Sequence, residues 1–265
     1  MLKVSRSGFH KWTHNRDSKS QLRRADLLQH IRRIFEHSRE TYGVRRVHAQ
    51  LKKEGIKASR RLVQELMHEN GIRPKRKRRY KITTDSKHSL KVSRNHLKRQ
   101  FAVNMANTVW VSDITYIDTA EGWLYLATFI DLYSRRVVGW SMSDHMTADL
   151  VVSAFQMAVQ RRGTVPRLVH SDRGSQYASD AFRKMLKKVK QSMSRKGNCW
   201  DNAVAESFFG ALKSELVHRH PFKTRKEAEM YVFDYIEIFY NKTRLHSALG
   251  YTSPAEFEQK GRKAA

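Results

Sequence analysis

A chain of 265 residues, 40% hydrophobic and 29% charged, is long enough for one large or two modest domains with proper cores. Its 52 Lys+Arg against 25 Asp+Glu leave a net charge of +27, which repels itself and calls for a polyanionic partner such as DNA or RNA; a ribosome-bound or merely solubilised protein is the plainer alternative. The single cysteine, Cys199, excludes an intrachain disulfide and any zinc site built on two cysteines, and suits a reducing compartment.

In chain order, the first residues, MLKVSRSGFHKWTHNR, lack the apolar run of a signal peptide. Residues 1–100 hold 29 Lys+Arg and 8 Asp+Glu, a net of +21, so most of the excess sits in this front part. DLLQHIRRIFE (26–36) puts Leu27, Leu28, Ile31, Ile34 and Phe35 on one helical face, with Asp26 able to cap it. A second helix is predicted from Val44 to Gly55, and a third from the N-cap Ser59 to Asn70-Gly71, with Leu62, Val63, Leu66 and Met67 inward. Two short helices around a Gly-containing turn fit a helix-turn-helix, and Arg60, Arg61, Gln64 and His68 on the outer face suit phosphates or base edges. A solvated helical hairpin would have the same pattern. RPKRKRRYK (73–81) has seven basic residues, including Lys75, Arg76, Lys77, Arg78 and Arg79; it reads as an arm on phosphates, although a nuclear-import signal has the same composition. Residues 1–80 are thus a helical DNA-binding region with a basic arm, and 81–100 a polar linker.

From Phe101 onward strands are predicted at 109–117, 122–131 and 136–143, a helix at 147–161, a strand at 167–171, a helix near 178–188, a strand near 191–194 and a longer helix at 201–217. The most apolar stretch, Trp123 to Tyr133, is too short to cross a bilayer, so no membrane association is expected. Three antiparallel strands followed by alternating helices and strands make a mixed α/β sheet in the order of the ribonuclease H-like fold, with 101–220 as its core and 221–265 as a helical extension. Asp113 sits in a strand on the face of Val111, Thr115 and Ile117; Asp172 follows a strand directly; Glu206 lies on a helix. Each alone reads as a cap, a salt bridge or a solvated group. Together they form a set of hard oxygen donors suited to two Mg²⁺ or Mn²⁺ ions acting on phosphodiesters.

The stretches WVSDITYI (110–117), HSDRGSQYAS (170–179), SMSRKGNCWDNAVAESFFGALKSE (192–215) and YNKTRLHSALGYTSP (240–254) resemble the motifs of bacterial insertion-sequence transposases related to retroviral integrases, and 26–80 resembles their DNA-binding region. The resemblance implies that Asp113, Asp172 and Glu206 ligate the metals and that Lys213 touches DNA. It also implies that Asn198, Trp200, Asp201 and Asn202 shape the pocket. It implies no role for Tyr240, Asn241, Arg244 or His246. The 33 residues between Asp172 and Glu206 are about two fewer than in the family pattern, a shortening that falls at 186–194: a loop absorbs it, whereas a cut into the helix or strand would shift the register and misplace Glu206. The expected activity is metal-dependent cleavage and strand transfer of element ends into target DNA, without ATP. It implies a multimer on DNA in a bacterial cytoplasm, at the nucleoid, with an upstream-frame partner protein or fusion suggested by the start at Met1 near VSRSGFHKW. The competing readings are a non-catalytic DNA-binding protein and a nuclease of the same fold that cuts without joining.

Overall fold

The computed structural model describes residues 5–13, 18–74 and 90–263. Residues 75–89, which include Lys75, Arg76, Lys77, Arg78 and Arg79 of the basic run, lie outside the described residues. The chain divides into two compact units, Met1–Lys75 and Arg76–Ala265.

The first unit is all helical: α1 (Arg6–Thr13), α2 (Lys19–His37), α3 (Val44–Lys53) and α4 (Arg60–Glu69). The helix α2 begins seven residues before Asp26, because Ser18 and Gln21 form a reciprocal capping box; Asp26 is an interior residue, not the cap. Leu27, Ile31 and Ile34 of α2 bury against Val47 and Leu51 of α3 and Val63, Leu66 and Met67 of α4. Gly55, at φ +77°, turns the chain between α3 and α4, and the Ser59 side chain accepts a 3.1 Å bond from the Leu62 N–H to cap α4. Arg60, Arg61, Gln64 and His68 are exposed on the outer face of α4, with Arg61 paired to Glu65 at 2.9 Å.

The second unit is a five-stranded sheet of β1 (Val109–Ile117), β2 (Leu124–Asp131), β3 (Val137–Ser143), β4 (Leu168–Ser171) and β5 (Lys190–Met193), in the order β3-β2-β1-β4-β5. The first three strands pair antiparallel; β4 and β5 join parallel, which requires crossovers through helices. These helices are α5 (Ala148–Arg162), then α6 (Ser175–Ala178) and α7 (Asp180–Met185). After β5 come a 3₁₀ turn (Cys199–Asn202), α8 (Ala203–Glu215), α9 (Arg225–Asp234), a π-helical segment (Tyr235–Thr243) and α10 (Pro254–Lys263).

Strand alternation divides the core into two layers. Trp110, Phe129, Val138 and Val169 face Val151, Phe155 and Phe182 of α5 and α7. Val111, Ile117, Leu126 and Ile130 face Phe208, Leu212, Val232, Ile236 and Phe239 on the other side. The segment after α8 is therefore not an extension: it supplies much of one core layer. Nor are residues 90–100 a linker, because the His96 N–H donates to Ser192 Oγ at 2.8 Å and Leu97 is buried in the same layer. Composition misled the reading here: a polar segment lies along β5 using backbone donors, which leave no apolar periodicity.

Candidate active site

Register puts two of the carboxylates side by side. In the parallel pair of β1 and β4, Val111 stands opposite His170. Two residues further along each strand are Asp113 and Asp172, at the same level and at the carboxyl end of β4, where open α/β sheets place their chemistry. Asp113 lies on the α8 face of β1, half-buried, and its Oδ1 accepts the Ile114 N–H at 2.8 Å. Asp172 Oδ1 accepts the Gly174 N–H at 2.9 Å, and a Cβ on Gly174 would come within 3.2 Å of that oxygen, so a residue without a side chain suits this turn.

Glu206 comes from α8, in the first turn and exposed; partial desolvation raises its carboxyl. Its charge reaches Asp113, whose acid is pushed well above the usual carboxylate range, first by burial, then by Asp172, with Glu206 adding and the Ile114 N–H and Lys213 opposing. Lys213, expected to touch DNA, is only 6% exposed: its Nζ lies 4.5 Å from the centroid of the Tyr116 ring, and burial lowers its amine to about 8 against the pull of Asp113. The charge of Asp113 is thus felt at this amine.

Among the described residues no three acidic, histidine or cysteine side chains form a ready-made metal cage. The donor set nevertheless fits a divalent cation. Asp113 and Asp172 stand at one level on neighbouring strand ends, the charges of Asp172 and Glu206 add to burial in raising the Asp113 acid, and carboxylate oxygens are the donors that a hard cation takes. Beside them, Asn202 Oδ1 is buried without a hydrogen-bond partner.

The four residues assigned to pocket shaping do different work. Trp200 is 68% exposed. Asp201 is fully buried and accepts from Asn95 Nδ2 at 2.9 Å, Arg99 Nε at 2.8 Å and the backbone and guanidinium of Arg195 at 3.0 Å. Asn198 Oδ1 accepts from Arg99 at 2.9 Å. Asn202 Nδ2 donates to the Ser112 carbonyl at 3.0 Å, which ties the start of α8 to the strand residue next to Asp113. These are pins for the loop ahead of the glutamate helix. Sequence reasoning missed Tyr116 beneath Lys213 and Tyr177, whose buried hydroxyl meets Ser112 Oγ at 2.8 Å; no spacing signal marks either tyrosine. Residues 186–189 join α7 to β5, and β5 pairs parallel with β4 from Leu168↔Lys190 to Ser171↔Met193.

Comparison with known proteins follows the same division. An HTH-like domain profile matches residues 21–80, and two integrase core domain profiles match 103–199 and 206–261. The chain is 43% identical over 260 residues to the 31 kDa protein of insertion element IS600 from Shigella sonnei, covering 97% of this chain and 96% of that one. It is 42% identical over 268 residues to the transposase InsF for insertion sequence IS3A of Escherichia coli (98% and 92% covered) and 43% identical over 250 to the transposase of insertion sequence element IS904 from Lactococcus lactis (93% and 98%). Among solved structures, the simian T-cell lymphotropic virus intasome in complex with PP2A regulatory subunit B56 gamma aligns with a TM-score of 0.50 at 16% identity, over 79% of this chain and 69% of that one. The HTLV-2 integrase catalytic core in complex with magnesium aligns at 0.45 with 17% identity, over 58% and 97%. A helix-turn-helix unit, a ribonuclease H-like sheet and near full-length identity above 40% to named transposases lead to one conclusion: the chain belongs to the IS3 family of insertion-sequence transposases, with an integrase core domain.

Proposed function

We propose that this transposase cuts and joins the ends of its insertion sequence at Asp113, Asp172 and Glu206, with Mg²⁺ or Mn²⁺ held by those three carboxylates. The observation that carries the reading is the level placement of Asp113 and Asp172 on adjacent strands, with Glu206 close enough to act on the Asp113 acid. When bound, two such ions supply Lewis-acid stabilisation to both the attacking and the leaving oxygen of an in-line displacement. The chain's own part is positioning: Asp113 is held within β1 and Asp172 directly after β4, while Glu206 depends on where α8 sits. Lys213 balances charge beside Asp113.

The exposed Arg60, Arg61 and Gln64 of α4 suit reading of the element end, and Lys75, Arg76, Lys77, Arg78 and Arg79 suit phosphate contacts along it. Joining paired ends calls for a multimer on DNA at the nucleoid, with an upstream-frame protein as a further partner.

Purified protein is incubated with end DNA and Mg²⁺ or Mn²⁺, beside a Glu206→Gln variant. Joined products from the wild type alone, with equal DNA binding by both, are expected. Joined products from Glu206→Gln would sink the assignment of the third carboxylate; cleavage without joining by the wild type would favour a nuclease.

A further inference from the structure

The segment Tyr240–His246, the one sequence motif left without a role, lies against the helix that carries Glu206. Arg244 makes a bidentate pair with Glu215 at the last residue of α8, Nε to Oε2 at 2.7 Å and Nη2 to Oε1 at 2.6 Å, and Tyr235 donates its hydroxyl to the same Oε2 at 2.8 Å. The arginine and glutamate side chains are 7% and 9% exposed. Four residues earlier, Tyr240 meets Phe208 edge-on at 4.7 Å between ring centroids, two positions along α8 from Glu206, and the Arg244 guanidinium lies 5.8 Å from the Tyr240 ring centroid. Between them Asn241 accepts the Val137 N–H and donates to the Val137 carbonyl, both at 3.0 Å, as a neighbouring strand would. The π-helical closure brings these groups together: the Arg244 N–H donates to the Phe239 carbonyl five residues back at 2.7 Å, an irregularity that recurs at functional sites.

A buried ion pair is a poor source of stability, since desolvation takes back most of the Coulomb gain. What a guanidinium–carboxylate fork does supply is a fixed distance and angle. The N-terminus of α8 has no side-chain cap; Asn202 donates to the Ser112 carbonyl there, Phe208 and Leu212 pack along its core face, and the fork at Glu215 adds a fixed reference at the far end. Glu206 and Glu215 are nine residues apart, roughly 13–14 Å along the axis. Pivoting α8 about Glu215 by about 4° would move Glu206 by about 1 Å, a displacement of the size that costs on the order of a hundredfold in rate.

We propose that Arg244, Tyr240 and Asn241 are positioning residues for Glu206: they clamp the far end and the flank of α8 to the start of β3, and so set the reach of Glu206 toward Asp113. The inference rests on Glu206 acting at the site, so Glu206→Gln is the reference variant. Full-length wild type, Arg244→Lys and Tyr240→Leu are compared for strand-transfer kcat, KM for end DNA, and hydrogen exchange of α8 against β1 and β2. Lysine keeps the charge but cannot form the fork. The expected result for Arg244→Lys is a kcat lower by about tenfold with unchanged KM and faster exchange in Ala203–Glu215 alone. Tyr240→Leu is expected to lower kcat in the same way. A wild-type kcat in Arg244→Lys would overturn the proposal, as would exchange that rises equally in the strands, the mark of a merely structural pair. Strand transfer by Glu206→Gln would overturn both this inference and the site it rests on.

Discussion

Two buried aspartates of the catalytic unit respond to pH in opposite directions, one governed by burial and the other by its arginine partners. Asp131, fully buried at the end of β2, is pushed up to about 6 by burial, which the Asn107 and Tyr133 N–H groups and Arg162 only partly offset. A carboxyl whose folded value is raised stabilises the fold most below its unfolded value, near pH 4, and loses that contribution as pH rises through 6. The stability difference between wild type and Asp131→Asn should therefore favour the wild type less by about 3 kcal/mol at pH 7 than at pH 3.5, measured by urea unfolding. Asp201 is the reverse case. Arg195 and Arg99 hold its carboxyl far below the usual range, so its contribution is complete above pH 4 and is lost as pH falls through the folded value. The cost of Asp201→Asn, about 2 kcal/mol at pH 7, should shrink on acidification. A cost that stayed flat with pH would mean that burial does not control the Asp131 carboxyl, or that Arg195 and Arg99 do not control that of Asp201.

At the scale of elements, β3 and α5 meet through a missing side chain. A Cβ on Gly139 would stand 2.3 Å from the Ala154 carbonyl oxygen and 2.6 Å from Ala158 Cβ, closer than any such contact allows. Gly139→Ala must push α5 away from the sheet, and a loss of about 2–3 kcal/mol is expected in thermal or urea unfolding. Unchanged stability would show that α5 yields cheaply. Element boundaries were legible where periodicity was clean: VWVSDITYI is β1 to the residue, and the helix predicted at 147–161 is α5 at Ala148–Arg162. They were not legible where a short-range cap cut a run. The helix read near 178–188 is two pieces, α6 and α7, because Ser179 ends one and caps the other through the Phe182 N–H.

For the whole molecule, charge is the property that needs no fold. The five residues Lys75, Arg76, Lys77, Arg78 and Arg79 carry five positive charges in a row, and each phosphate they neutralise releases counterions. Replacing all five with glutamine should weaken binding to end DNA at physiological salt and flatten the slope of log affinity against log salt by up to about 4.5. An unchanged slope in a salt titration would remove the run from the DNA interface.

From the sequence alone came the transposase family, Asp113 within a strand and Asp172 directly after one, the helix-borne Glu206, the capped α4 with its exposed arginines and the split of charge along the chain. These are local matters, set by residue type, spacing and period. Only the tertiary structure decided what the polar residues around the site do. Lys213 packs over the Tyr116 ring; Asp201 accepts from Asn95, Arg99 and Arg195, and Asn202 donates to the Ser112 carbonyl; residues 90–100 and 221–263 belong to the core unit. Arg244 finds Glu215 across 29 positions of sequence. A hydrogen bond or ion pair between distant residues leaves no periodic trace, because its partner is fixed by how elements pack and not by what stands nearby in the chain.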